Sequence, residues 1–177
     1  MPRKPRLLLL DAGAIFAAMR HDAWGALVEA YEVLVTATVV QVEAIFYVDR
    51  EGHRQEIDLR IEVAEGRIGM VEVEAAEIAK VSARFSPEFR ERLDAGELEG
   101  LAYLVASDRN DLHFVSADGP AIQAVAMLDP DCRVSSLEEV LDLCGHSKPL
   151  DHKFSRDFVR KHVQEGSVRK IQGRGLI

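Results

Sequence analysis

Apolar and polar positions along the chain switch between two periods. Residues 6–10 close on four consecutive leucines, and an unbroken apolar run suits a strand buried on both faces of a parallel sheet. Ile15, Ala18, Met19, Leu27, Ala30 and Tyr31 then follow at helical spacing, which predicts a helix over 14–31. EVLVT predicts a second strand over 32–36. Thr38-Val-Val-Gln41 fits the capping-box pattern and predicts a helix from about residue 39, with Glu43 in its second turn. The run Val39, Val40, Val42 and Ile45 suits a strand equally well, because β-branched residues are poor helix formers.

Residues 49–73 change character. Ile57, Leu59, Ile61 and Val63 alternate with Asp58, Arg60 and Glu62, EGR supplies a turn, and IGMVEV supplies a return. The pattern predicts an inserted β-hairpin with one wet face. Helical spacing returns over 73–85, and Ser86-Pro87 breaks it. Leu98, Leu101, Ala102 and Val105 trace the apolar face of a helix opening at Gly96. Residues 113–116 predict a strand, 119–128 a helix, CRVSS a strand and SLEEVLDLCG a last helix. Strands alternating with helices predict an α/β fold, a central parallel sheet with helices on both faces.

The 177 residues, 47% apolar, are enough for one core. No apolar run approaches the ~18 residues of a membrane span. The opening MPRKPRLLLL is basic then apolar, but its leucine run is shorter than the ~7–15 residues of an export signal. A cytoplasmic chain is expected. Cys132 and Cys144 form no metal motif or disulfide framework and are expected to be ordinary buried thiols. The net charge of −8 is uneven: residues 146–177 carry +5 and the rest −13. The division is therefore a body over 1–145 and a basic tail over 146–177, in which Phe154, Phe158, Val159 and Val163 allow a short docked helix. A carboxylate surplus suits a cation site, and a basic tail suits a polyanion or an acidic protein patch.

Candidate chemistry lies where elements begin and end. Asp11 and Asp118 each follow a short apolar strand, and Glu43 and Glu97 fall in the opening turns of helices. In a parallel sheet those places share one edge, where ligands of open α/β sheets bind. Four carboxylates meeting there repel one another unless a cation neutralises them. Hard divalent cations prefer oxygen ligands, and such sites activate water and promote displacement at phosphorus. Glu99, two residues past Glu97, is a competing choice for the third acid. The six histidines show no ligand spacing, and no Ser-His-Asp arrangement can be read.

LLLLDAGAIF, TATVVQVEAIFY, DAGELEGLAYLVA and HFVSADGPAIQAV, in that order, resemble a PIN domain over about residues 6–143. The resemblance implies a three-layer α/β/α fold and a Mg²⁺- or Mn²⁺-dependent ribonuclease with acids at four dispersed positions. Asp11 matches the acid after the first strand and Glu43 the glutamate after the second. Gly96-Glu97 matches the third acid at a helix start, and Ser116-Ala117-Asp118 the fourth. Gly13 departs from the pattern, since the family usually carries Ser or Thr there.

The resemblance further implies single-stranded RNA as substrate, and, as in many members, an antitoxin partner and a homodimer. Lys153, Arg156, Arg160, Lys161, Arg169 and Lys170 are the tail's candidate nucleic-acid contacts. The alternative is a non-catalytic PIN-like module that binds RNA or protein. A haloacid-dehalogenase-type phosphohydrolase needs a second Asp where Gly13 stands. A receiver-like switch needs a paired acid cluster and a late Lys that are not found.

Overall fold

The computed structural model describes residues 6–43 and 46–177. In chain order the first half holds β1 (Leu7–Leu10), α1 (Ala12–Arg20), α2 (Trp24–Ala30), β2 (Glu32–Thr36), a π-helical turn (Val39–Glu43), β3 (Phe46–Val48), β4 (Arg54–Glu56), α3 (Leu59–Ala64), β5 (Gly69–Val71) and α4 (Ala75–Ser82). The second half holds α5 (Pro87–Arg90), α6 (Ala95–Ala106), β6 (Leu112–Val115), α7 (Gly119–Leu128), β7 (Val134–Ser135), α8 (Leu137–Leu143), a 3-10 turn (His152–Phe154) and α9 (Arg156–Ile171).

Five strands form one parallel sheet in the order β5-β2-β1-β6-β7. β1 lies at its centre, and its leucines serve both faces. Leu8 and Leu10 pack with Ile15, Leu27 and Val140 of α1, α2 and α8, whereas Leu7 and Leu9 pack with Leu101, Leu104 and Val125 of α6 and α7. Each buried leucine contributes roughly 1.5–3 kcal/mol. The result is a three-layer α/β/α fold. From β1 the chain runs outward through β2 to β5, then returns to the other side of β1 to lay down β6 and β7. The carboxyl ends of β1 and β6 therefore flank the point where strand order reverses, the usual ligand crevice of such sheets.

Several expectations need correction. The helix expected over 14–31 is two helices, broken at His21–Ala23, where Asp22 takes the left-handed conformation (φ 53°) that Asp tolerates. The hairpin expected over 49–73 lies earlier, as antiparallel β3 and β4. The alternating run is instead α3, started by Asp58, whose Oδ1 accepts from Arg60 N. Leu59 and Val63, four apart, share the core-facing side of that helix, while Ile61 is 54% exposed. The return strand is β5, parallel to β2 at the edge of the main sheet. The capping box at Thr38 does not form: Thr38 N donates to Glu99 Oε2 at 3.0 Å, and the chain turns through a wide π-helical loop. Residues 44 and 45, where the expected helix continues, lie outside the described residues. Cys132 and Cys144 are half-buried rather than buried.

The basic segment is built into the fold. Its helix has 16 residues, is capped by Ser155 and lies along α7. A Cβ at Gly166 would stand 2.6 Å from Gln123 O, so glycine permits the two backbones to approach this closely. Beyond α9 the chain folds back: Ser86 N donates to Gly175 O at 2.9 Å, and Leu176 bridges to Phe85.

Candidate functional site

Helix starts place the acids. Asp11 follows β1 and caps α1, its Oδ1 accepting from Ala14 N at 2.7 Å. Asp118 caps α7, its Oδ1 accepting from Ala121 N at 2.9 Å. Ser116 ties the two together: its hydroxyl donates to Asp11 Oδ2, and its oxygen accepts from Asp118 N at 3.0 Å. Glu97 forms a reciprocal capping box with Asp94, in which Asp94 Oδ1 accepts from Glu97 N at 2.8 Å and Glu97 Oε2 accepts from Asp94 N at 3.0 Å. Glu43, the last residue of the π-helical turn, accepts from Gly96 N at 3.2 Å.

Asp11, Glu43, Glu97 and Asp118 all line one cleft of about 210 Å³, with Asp94 and Lys153. The structure thus brings together all four acids singled out in the sequence. Burial carries Asp11 from 3.8 up to about 6, against the hydrogen bonds from Ser116 and Ala14 and with repulsion from Asp118. Burial also carries Glu97 from 4.5 up to about 8, with the charges of Asp118, Asp94 and Asp11 adding. Glu43 is raised as well, by burial first and by Asp94 next. The positive ends of the α1, α6 and α7 dipoles face this cluster and offset part of its repulsion.

Every one of these carboxylates except Glu43 also serves a helix terminus. Capping alone does not require charge, since Ser86, Ser136 and Ser155 cap α5, α8 and α9 with a hydroxyl. What capping leaves unexplained is four acids from four separate segments in one cleft.

The donor set is all oxygen, which fits a hard divalent cation; the carboxyl pKa values are raised by burial first and by neighbouring acids second, and a cation would offset both. Among the described residues, no group of three or more His, Cys, Asp or Glu side chains stands ready to grip one ion. Glu43 and Glu97 each have an oxygen committed to a backbone donor. Mg²⁺ keeps several waters and uses one or two carboxylates directly, so an ion here would not need three carboxylates closing on it.

Glu99 is not part of the cluster. It is 3% exposed, and its carboxylate accepts from Thr38 N at 3.0 Å and Val73 N at 3.4 Å, tying the ends of β2 and β5 to α6. Asp94 was missed, although Asp94-x-x-Glu97 is itself a readable capping pattern. At Gly13 an added Cβ would meet Asp11 Oδ1 at 3.5 Å, an ordinary contact, so the position has room for a side chain.

The six basic candidates do not form one patch. Lys153 lines the acidic cleft. Arg156 is held by Asp142 at 2.6 Å and Glu138 at 3.7 Å, Arg160 by Asp157 at 2.6 Å, and Lys161 faces Glu165 at 3.9 Å. Arg169 lines a separate cleft. Lys170 is exposed in the last turn of α9, and nothing brings it to the acids.

No protein-family model matches the chain, and no curated protein matches it. Among the described residues, no helix is long and apolar enough to cross a membrane.

Proposed function

We propose that the chain is a metal-dependent endoribonuclease of PIN-like type that cleaves single-stranded RNA through its acidic cleft. The observation that carries this reading is the convergence of Asp11, Glu43, Glu97 and Asp118, from four separate segments, at the reversal point of the sheet. Mg²⁺ or Mn²⁺ bound there supplies Lewis acidity, activating water and neutralising charge that develops on the phosphate. Asp11 and Asp118, joined through Ser116, are the firmest ligands, because both are fixed by backbone and hydroxyl partners. Glu43 and Glu97 close the opposite wall. Burial and the neighbouring acids make Glu97 hold its proton more tightly than a free glutamate, and a cation in the cleft would favour its release. Lys153 at the rim offers a counter-charge to an incoming phosphate. No protein nucleophile is required. An antitoxin-like protein partner and a homodimer belong to the same proposal and rest on the resemblance alone; a cytoplasmic setting belongs to it too and rests on the short leucine run at the start of the sequence.

A second reading is a non-catalytic PIN-like module that binds RNA or protein. One observation favours it: Gly13 leaves Asp11 without a hydroxyl from that position. Incubating end-labelled single-stranded RNA with Mg²⁺ or Mn²⁺ separates the two. The nuclease cleaves only with metal, and Asp11→Asn lowers the rate by about a hundredfold or more while remaining folded. Wild type that leaves the RNA intact with either ion favours the binding module.

A further inference from the structure

A second cleft, of about 560 Å³, opens where α9 passes α5 and α7, lined by Arg92, Arg169 and Arg174 together with Gln123, Gln172 and His162. Six arginines elsewhere, Arg60, Arg67, Arg109, Arg133, Arg156 and Arg160, each pair with a carboxylate, whereas Arg20, Arg50 and Arg54 meet a carbonyl, a histidine and a ring. Among the described residues, none of the three cleft arginines has a carboxylate within 4.0 Å. Glu165 also lines the cleft, but it is engaged by Gln123 at 2.8 Å, His162 at 3.0 Å and Lys161 at 3.9 Å.

Two of the three guanidiniums lie near one ring, and the third arginine has its backbone fixed. Arg92 and Arg169 sit 5.4 and 5.7 Å from the centre of the buried Phe89 ring. Arg174 is positioned by the returning terminus: its N donates to Arg169 O at 2.9 Å, Gly173 and Gly175 take left-handed φ of 63° and 89°, and Ile177 N donates to Arg84 O at 2.9 Å. Arg92 and Arg174 are exposed, so solvent screens part of the repulsion, and the remaining positive charge of the cleft favours an anion. Guanidinium forks match phosphate oxygens in pairs.

This cleft adjoins the acidic one. His162 lines it and packs on Gly119, the residue after Asp118; a Cβ there would stand 2.6 Å from the His162 ring. Half-buried Phe158 lies 4.3 Å from the His162 ring and 5.8 Å from that of His152, whose neighbour Lys153 lines the acidic cleft. A ridge of rings therefore links the two clefts; His162 is only 15% exposed, so the half-buried Phe158 ring is the face open to a stacked base of a single strand.

We propose that the Arg92–Arg169–Arg174 cleft binds a backbone phosphate of a single-stranded RNA whose scissile bond lies in the acidic cleft, the strand crossing Phe158 and His162. This rests on the nuclease reading of the acidic cleft. The ring ridge and its continuity with the acids favour RNA over an acidic peptide, which needs neither.

Binding of a fluorescent oligouridine of about 12 nucleotides is measured by anisotropy in EDTA across a salt series, so that no metal-dependent cleavage intervenes. Each phosphate contact adds about 0.7 to the slope of log affinity against log salt. The triple variant Arg92→Gln, Arg169→Gln, Arg174→Gln therefore loses about 0.7 from that slope, the share of one phosphate, and Arg60→Gln loses nothing. Phenylglyoxal modification of the wild type, read by peptide mass spectrometry, shows oligouridine protecting Arg92, Arg169 and Arg174, and does not depend on a variant folding.

An unchanged slope together with unprotected arginines overturns the proposal. So does displacement of oligouridine by polyglutamate at lower concentration than by unlabelled polyuridine, which assigns the cleft to an acidic protein. If the slope falls but wild type never cleaves RNA with metal, the phosphate site stands and the nuclease reading fails. Cleavage with an unchanged slope does the reverse.

Discussion

Glu43 approaches Gly96 more closely than a side chain at that position permits: its Oε1 accepts from Gly96 N at 3.2 Å, and an added Cβ would stand 2.6 Å from Oε2. The contact anchors the π-helical turn to the start of α6 and keeps a third wall of the cleft acidic. In Gly96→Ala the Glu43 carboxylate, at the end of a flexible side chain, turns away. Stability then changes little, since alanine favours the helix by up to about 1 kcal/mol. Mn²⁺ affinity by calorimetry falls about 10–100-fold, the usual effect of disturbing a ligand's support. Unchanged affinity places Glu43 outside the ligand set.

Ser116 lowers the Asp11 pKa and satisfies Asp118 N. Ser116→Ala removes both effects. Asp11 then moves above about 6, and the pH at which Mn²⁺ binding reaches half its full strength rises. The lost partner of Asp118 N costs about 1–3 kcal/mol, visible in thermal melting. A variant with the wild-type pH profile removes Ser116 from the electrostatics of the site.

Without metal, stability falls as pH rises from about 5 to 8. Asp11 and Glu97 bind protons more tightly folded than unfolded, so the folded state is favoured while they are protonated. That advantage is lost between 3.8 and about 6 for Asp11 and between 4.5 and about 8 for Glu97. Mn²⁺ reverses the loss, because it binds the deprotonated carboxylates. Asp11→Asn raises the melting temperature at pH 8 by about 2–4 °C for each kcal/mol of relieved repulsion. Melting curves in EDTA and in Mn²⁺ across this range check the sign.

Asp129 marks what a structural acid looks like here. Asp129 and Arg133 are both buried, paired at 3.1 Å, and the guanidinium also donates to the carbonyls of Leu104, Ser107 and Arg109. Arg133→Met strands Asp129 without a counter-charge and costs about 3–5 kcal/mol. The double change Asp129→Leu, Arg133→Met recovers only the part due to the stranded charge in denaturant melts, because the three carbonyls still lack the guanidinium.

The central sheet was legible because Leu7–Leu10 is too apolar to be anything but a strand covered on both faces, and four acids lay at the ends of such elements. Convergence followed from topology rather than from any spacing between the acids. Misplacement of the hairpin has a local cause: alternation over 57–63 also contains the i, i+4 pair Leu59 and Val63, and the Asp58 cap decides for the helix. The partners of the basic residues were not legible. Arg156 and Arg169 look alike in sequence, and only packing gives one a carboxylate at 2.6 Å and leaves the other in an arginine cleft.

Anomalous diffraction from crystals grown in Mn²⁺ near pH 8 tests the central claim most directly. The account predicts a manganese peak inside the cleft formed by Asp11, Glu43, Glu97 and Asp118, absent in crystals of Asp11→Asn. A wild-type cleft with no peak at saturating Mn²⁺, or a peak that survives in Asp11→Asn, contradicts it.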